Sequence, residues 1–281
     1  MEKIASPGRT REILERHGFT IKKGFGQNFL IDGNVMEKII SAAEITKEDF
    51  VVEIGPGLGG LTQYLAESAG RVLAVEIDKT AVPILRENLA GYDNVEILCA
   101  DILKTDLNEI PGKIKVVANL PYYITTPVIM RLLETGKNIR SITVMVQKEV
   151  AERLSAAPGT DAYGAITLAA GYYSDTVLEF IVSPSCFLPR PKVESAVLTL
   201  KILDEPRVSV PDEGLLFNVI KCAFGQRRKT LVNGLYNLGG FGLSKEALAG
   251  MLSGLGFDPR VRGETLSLSD FARITEKLYN R

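Results

Sequence analysis

The sequence predicts an α/β protein: a largely parallel sheet covered by helices on both faces, followed by a small helical C-terminal domain. Three observations carry this prediction. From residue 50 onward, short β-branched runs alternate with stretches of helical spacing. A glycine-rich turn joins the first of these strands to the first helix. Beyond about residue 205 strand-like runs stop and the composition turns helical. Strands that alternate with helices imply parallel pairing, because each crossover lays a helix on a sheet face.

In order, Phe50–Ile54 reads as a strand and Leu61–Ala69 as a helix; Arg71–Glu76 is the second strand and Lys79–Ala90 the second helix. Val95–Cys99 and Lys115–Asn119 are the third and fourth strands, and Ser141–Val146 is the fifth. Pro127–Glu134 is helical with its proline in the first turn, where the missing N–H costs nothing. Thr176–Val182 and Ser195–Ile202 are strands with no long helix between them, which predicts an antiparallel edge. The loop joining them, Ser183–Val193, holds three prolines. Leu215–Phe224, Ser244–Leu255 and Ser269–Tyr279 read as helices, too short a segment for a second α/β unit. The expected domains are an arm or short helix at 1–25, an α/β domain at 26–204 and a helical domain at 205–281.

The chain has 281 residues, 46% of them hydrophobic, enough for one large core and a small one. It shows no apolar run of bilayer length and no apolar signal core near its start, so a cytoplasmic protein without membrane partners is expected. Cys99, Cys186 and Cys222 are odd in number and widely spaced, which argues against a disulfide framework and a paired zinc site. His17 is the single histidine, and a Ser-His-Asp triad or histidine metal site would need it. No metal is expected. The net charge of −1 is unlike that of a nucleic-acid binder, but the basic excess lies at both ends and the acidic excess in the middle. Such ends could grip a phosphate backbone, and ordinary variation of surface charge would account for them equally well.

The first strand runs into Gly55-Pro-Gly-Leu-Gly-Gly-Leu-Thr62. Gly55, Gly57 and Gly60 have dinucleotide-loop spacing, which lets a ligand approach the backbone and aims N–H groups at it. Glu76 ends the next strand roughly 20 residues on, where a carboxylate accepts from ribose hydroxyls. A tight turn could also use these glycines for packing alone. Turn and carboxylate together favour an adenosine-ribose cofactor, without separating a nicotinamide dehydrogenase from a methyltransferase. Asp101, after the third strand, is placed to accept from an adenine amino group or else to cap the following turn.

Asn119-Leu-Pro-Tyr-Tyr-Ile-Thr125 stands at the carboxyl end of the fourth strand, the edge where open α/β sheets bind ligands. It resembles the (Asn/Asp/Ser)-Pro-Pro-Tyr motif of amino-group methyltransferases, which excludes the dehydrogenase. An adenine amino nitrogen is a poor nucleophile because its lone pair is conjugated into the ring. Acceptors for its two N–H groups return electron density to nitrogen. The Asn119 side-chain oxygen and the Leu120 or Pro121 carbonyl could be those acceptors, and Tyr122 offers the base a flat face.

Further segments are similar to one family, in order and over nearly the whole chain: Gly26-Gln-Asn-Phe-Leu30, Glu53–Thr62, Glu76-Ile-Asp78, Asp101-Ile-Leu103, Asn119-Leu-Pro-Tyr122, Phe187–Ser195 and Phe224–Leu231. The chain resembles the ribosomal RNA adenine dimethyltransferases of the KsgA type. The resemblance implies a Rossmann-like, seven-stranded methyltransferase sheet with a helical C-terminal RNA-binding domain. It implies S-adenosylmethionine as methyl donor, with cofactor positions at Asn28, Leu30, Gly55, Glu76, Asp101 and Asn119; Gly57 joins them from the glycine turn. It implies conversion of two adjacent adenosines in the 3′-terminal hairpin loop of 16S rRNA, within the immature small ribosomal subunit, to N6,N6-dimethyladenosine.

Phe187 could supply a second aromatic face for a splayed-out base, or anchor its loop in the core. Arg227, Arg228 and Lys229 are the densest basic run and fit phosphate contact, against a solvated helix face. One departure follows that run: Val232-Asn-Gly stands where another basic residue and a second Asn are expected. The alternatives are a 23S rRNA methyltransferase of the macrolide-resistance type, a DNA adenine methyltransferase and a non-catalytic ribosome-assembly factor. The Leu after Asn119 and the Phe224–Leu231 segment argue against the first, the small C-terminal region against the second, and the intact Glu53, Glu76, Asp101 and Asn119 against the third.

Overall fold

The computed structural model describes residues 3–22, 24, 26–226 and 228–281. The chain divides into two compact units, Met1–Ala151 with Thr176–Ile202, and Glu152–Asp175 with Leu203–Arg281. Residues 152–175, expected in the α/β domain, therefore fall within the helical one.

The first unit is built on a seven-stranded sheet. Its strands are β2 (Phe50–Ile54), β3 (Arg71–Glu76), β4 (Val95–Cys99), β5 (Ile114–Asn119), β6 (Ile139–Gln147), β7 (Ser174–Val182) and β9 (Ser195–Ile202). They lie in the order β4-β3-β2-β5-β6-β9-β7. β2 pairs in parallel with β3 and β5, β3 with β4, and β5 with β6, whereas β9 runs antiparallel to β6. The central strands β2 and β5 are buried at nearly every position, as strands covered on both faces must be.

The helices of this unit are α1 (Pro7–Arg16), α2 (Gly33–Ala42), α3 (Gly60–Ser68), α4 (Val82–Asn88) and α5 (Thr125–Thr135). Met36 and Ile39 of α2 and Leu61 and Leu65 of α3 pack with Val51, Val72 and Val117 of the sheet. Each such side chain removed from water contributes about 1.5–3 kcal/mol. The stretch 1–25, expected as an arm or short helix, carries the helix α1, which packs on the first unit: its Ile13 is fully buried with Ala74, Ile84 and Leu85. α1 starts where Ser6 accepts from the Arg9 N–H and Pro7 fixes the first turn.

Two very short strands escaped the sequence. β1 (Phe29–Leu30) pairs antiparallel with β8 (Phe187–Leu188), setting Leu30 against Phe187. β8 lies within the proline-rich loop between β7 and β9.

The second unit has α7 (Ala165–Tyr173), α8 (Glu213–Gly225), α9 (Leu231–Leu238), α10 (Lys245–Gly254) and α11 (Leu268–Tyr279), while α6 (Lys148–Leu154) precedes α7. Leu168 and Tyr172 of α7 share one core with Leu216 and Ile220 of α8, Leu235 of α9, Leu252 of α10 and Phe271 of α11. That shared apolar face is why 152–175 joins the C-terminal helices. Asp212, Thr230, Ser244 and Ser267 cap the N-termini of α8 to α11, the last in a reciprocal box with Asp270. Among the described residues no helix is long and apolar enough to cross a membrane.

Candidate active site

The strand order reverses at β2. From β2 the chain builds outward through β3 and β4, then returns to β5 on the opposite side. A crevice opens at such a switch point, outside the carboxyl ends of the strands. The register fills it with polar groups: Ile54 is level with Val75 and Ala118, so Gly55, Glu76 and Asn119 emerge side by side, and Glu76 is level with Cys99, two residues before Asp101.

A cavity of about 260 Å³ occupies this crevice. Its lining includes every cofactor and catalytic residue expected from the sequence: Asn28, Leu30, Gly55, Gly57, Glu76 and Asp101 for the cofactor, and Asn119, Leu120, Pro121, Tyr122 and Phe187 for chemistry.

The glycine turn adopts left-handed backbone at Gly55 and Gly57, with φ of 68° and 59°. Nothing lies within 4 Å of where a Gly55 Cβ would stand, so its backbone faces open space; at Gly57 the Phe29 ring lies 3.1 Å from that point. Glu76 is buried, and its carboxylate accepts the Gly57 N–H at 3.0 Å and the Asp78 N–H at 2.7 Å. Burial raises its pKa against these hydrogen bonds, with the Asp78 charge adding to the rise.

Beneath the turn, Glu53 is 2% exposed and its Oε2 has no hydrogen-bond partner among the described residues. Burial, reinforced by the Glu76 charge, pushes Glu53 up to about 8. Asp101 borders the cavity and accepts the Leu103 N–H at 3.0 Å, so it also caps the following turn.

The Asn119 Nδ2 donates to the Asn28 carbonyl at 3.1 Å, which orients the amide. Its Oδ1 takes no hydrogen bond among the described residues. Leu120 is buried, and its N–H donates to the Met145 carbonyl on β6. The Pro121 carbonyl is engaged at the start of α5, accepting from the Ile124 N–H and the Thr125 hydroxyl, both at 3.2 Å. The Tyr122 hydroxyl lies 3.0 Å from Ser195 Oγ, which ties its ring to the start of β9.

Phe187 borders the cavity but is 2% exposed and packed in the sheet core, which matches the loop-anchor alternative. Tyr123, which the sequence did not single out, is 55% exposed at the cavity wall with its ring 3.5 Å from where a Gly26 Cβ would stand. Its signal was an aromatic directly after the Asn-Leu-Pro-Tyr motif. Arg228 and Lys229 are exposed on the connector between α8 and α9 rather than on a helix face; Arg227 lies outside the described residues.

Strand order, with one antiparallel partner beyond β6 and an amino-group motif at the switch point, places the first unit among the Rossmann-like methyltransferases. Residues 18–278 match the ribosomal RNA adenine dimethylase family. Ribosomal RNA small subunit methyltransferase A of Lachnoclostridium phytofermentans is 52% identical over 283 residues, covering 98% of either chain. The protein of the same name in Alkaliphilus oremlandii is 48% identical over 284 residues, covering 99% of each. Among solved structures, a dimethyladenosine transferase from Plasmodium falciparum is similar with a TM-score of 0.75 and 26% identity, over 86% of this chain and 94% of that one. The 23S rRNA methyltransferase ErmE gives 0.68 and 25%, over 89% and 99%. The chain belongs to the ribosomal RNA adenine dimethylase family.

Proposed function

We propose that this protein uses S-adenosylmethionine to dimethylate the N6 amino groups of two adjacent adenosines in the 3′-terminal hairpin loop of 16S rRNA. Its substrate is the immature small ribosomal subunit, assembling in the cytoplasm. Relatives of about half identity that carry the small-subunit name support the choice of RNA.

The observation that carries the chemistry is the orientation of the Asn119 amide. With Nδ2 spent on the Asn28 carbonyl, Oδ1 is the end left for a substrate N–H. The second acceptor is the Leu120 carbonyl, since Pro121 has its own engaged in the α5 turn. The two acceptors draw the amine toward the pyramidal, attacking form, and the Tyr122 ring, held through Ser195, backs the base. Phe187 supports this face from the core and fixes β8 against β1.

The cavity fits the donor. Gly55 offers open backbone, Glu76 has acceptor capacity for ribose hydroxyls, and Asp101 stands where an adenine amino group needs an acceptor. Asn28, Leu30 and Gly57 complete that side. When bound, the donor supplies a methyl group already activated as a sulfonium. Arg227, Arg228 and Lys229 serve the RNA backbone from the helical unit.

The test offers labelled S-adenosylmethionine to small and large subunits from cells lacking this activity, followed by mass spectrometry of the digested rRNA. N6,N6-dimethyladenosine confined to the small-subunit 3′ end is expected. Label in large-subunit RNA instead overturns the assignment.

A further inference from the structure

Asp78 lies just past β3 and forms no part of the cavity wall, yet four donors converge on its buried carboxylate. Oδ1 accepts from Lys22 Nζ at 2.7 Å and from the Thr80 N–H and hydroxyl at 3.0 and 2.7 Å. Oδ2 accepts from Gln27 Nε2 at 3.0 Å. Its own N–H donates to Glu76. Burial alone would raise its pKa, but the bonds from Lys22, Thr80 and Gln27 outweigh it and hold the carboxyl below its ordinary value.

The next residue along from Gln27 reaches the opposite side of the crevice. Asn28 gives its carbonyl to Asn119 at the end of β5, and Phe29 lies over Gly57 of the turn between. Gly26–Leu30 is thus a strap across the cavity, tied to β3 through Asp78, to β5 through Asn119, and to β8 by the pairing of Leu30 with Phe187. We propose that Asp78 is a positioning residue for the methyl-donor site, fastening this strap over the cavity and, from the same turn, holding the Glu76 carboxylate. The proposal rests on the reading of the cavity as the site of S-adenosylmethionine.

The polarity of the fastening makes it testable. Gln27 Oε1 accepts the Lys22 N–H at 2.9 Å, so its nitrogen must face Asp78. Asp78→Asn sets an amide NH2 against that nitrogen, or, flipped, against the Lys22 ammonium; neither orientation keeps all the bonds. Gln27→Glu in the Asp78→Asn background restores them, because the new carboxylate accepts both from the introduced amide and from the Lys22 N–H. Lys22→Met removes the ammonium from both Asp78 and the Thr80 hydroxyl while leaving the bonds of the Thr80 N–H and hydroxyl to Asp78 in place.

Dissociation of labelled S-adenosylmethionine from the full chain, and KM and kcat on small subunits, read the effect. Asp78→Asn is expected to speed dissociation and raise the donor KM by about tenfold or more, the scale of a lost hydrogen bond to a charged group, with kcat little changed. Lys22→Met is expected to move both in the same direction, and Gln27→Glu to recover most of the loss. Unchanged dissociation in Asp78→Asn, or a loss that Gln27→Glu leaves untouched, overturns the proposal. Glu76→Ala separates the two failures. If it weakens the donor while Asp78→Asn does not, only the strap proposal falls; if neither does, the reading of the cavity falls with it.

Discussion

Glu53 makes the stability of the first unit depend on pH in an unusual direction. Its carboxyl ionises in the unfolded chain near 4.5 and in the folded chain at about 8, because burial disfavours the charged form. Between these values the folded state binds a proton that the unfolded state does not, so stability present below pH 4.5 is lost as pH rises through the window. Each pH unit costs about 1.4 kcal/mol, which accumulates to about 3 kcal/mol at pH 7. Glu53→Gln resembles the protonated carboxyl and removes this cost. It adds one buried N–H without an acceptor, a penalty of about 1–3 kcal/mol. The variant should therefore gain on the natural chain steadily from pH 5 to pH 8, starting as the less stable of the two. Urea unfolding of both chains across that range, followed through the sheet unit, measures the difference and cancels every other titrating group. A difference that stays flat with pH would show that Glu53 is ionised in the folded protein.

Three further outcomes are expected. Glu76→Ala should weaken S-adenosylmethionine binding by about 1.5–3 kcal/mol by calorimetry, since ribose hydroxyls lose a charged acceptor; unchanged affinity would remove Glu76 from the site. Asn119→Ala should slow single-turnover methyl transfer at saturating donor and RNA by on the order of 100-fold while RNA still binds; near-normal rates would mean that another group polarises the amine. Neutralising Arg227, Arg228 and Lys229 together should flatten the salt dependence of RNA binding by up to about two or three units of slope without altering donor affinity, and an unchanged slope would mean they do not touch phosphate.

The sheet was legible because its central strands are short β-branched runs bounded by glycine turns, a pattern that burial on both faces imposes. The sheet side of the cavity lining was legible because Gly55, Glu76, Asp101 and Asn119 stand at or just beyond strand ends, where motif and strand boundary coincide, whereas Asn28 and Leu30 were reached through the family resemblance. What the sequence hid depends on pairings distant along the chain. β1 and β8 have two residues each, too few to show a period, and only their meeting joins Leu30 to Phe187. The α7 helix is apolar almost all round, so its spacing does not say which core it enters; contact with α8 and α11 does. Asp78 read as the tail of Glu76-Ile-Asp78, and its partners Lys22 and Gln27 lie more than fifty residues upstream. Phe187 illustrates the reverse case: an aromatic in a motif-bearing loop whose ring the core claims.

If the cavity holds the methyl donor as proposed, a single stretch of backbone bears on both the donor and the acceptor side of it. Gln27 is fastened on the side of Glu76, and Asn28, next in the chain, orients the Asn119 amide. Were the strap to part from Asn119 as well as from Asp78, the amide would lose the bond that decides which of its ends faces the cavity, and could then present a donor to the substrate amine instead of an acceptor. Two donors facing each other repel, so a lifted strap leaves the amine unpolarised even if the base is stacked correctly. On the proposed reading of the cavity, one segment thus bears on both reactants, through Gln27 and Asp78 on the donor side and through Asn28 and the Asn119 amide on the side of the nucleophile.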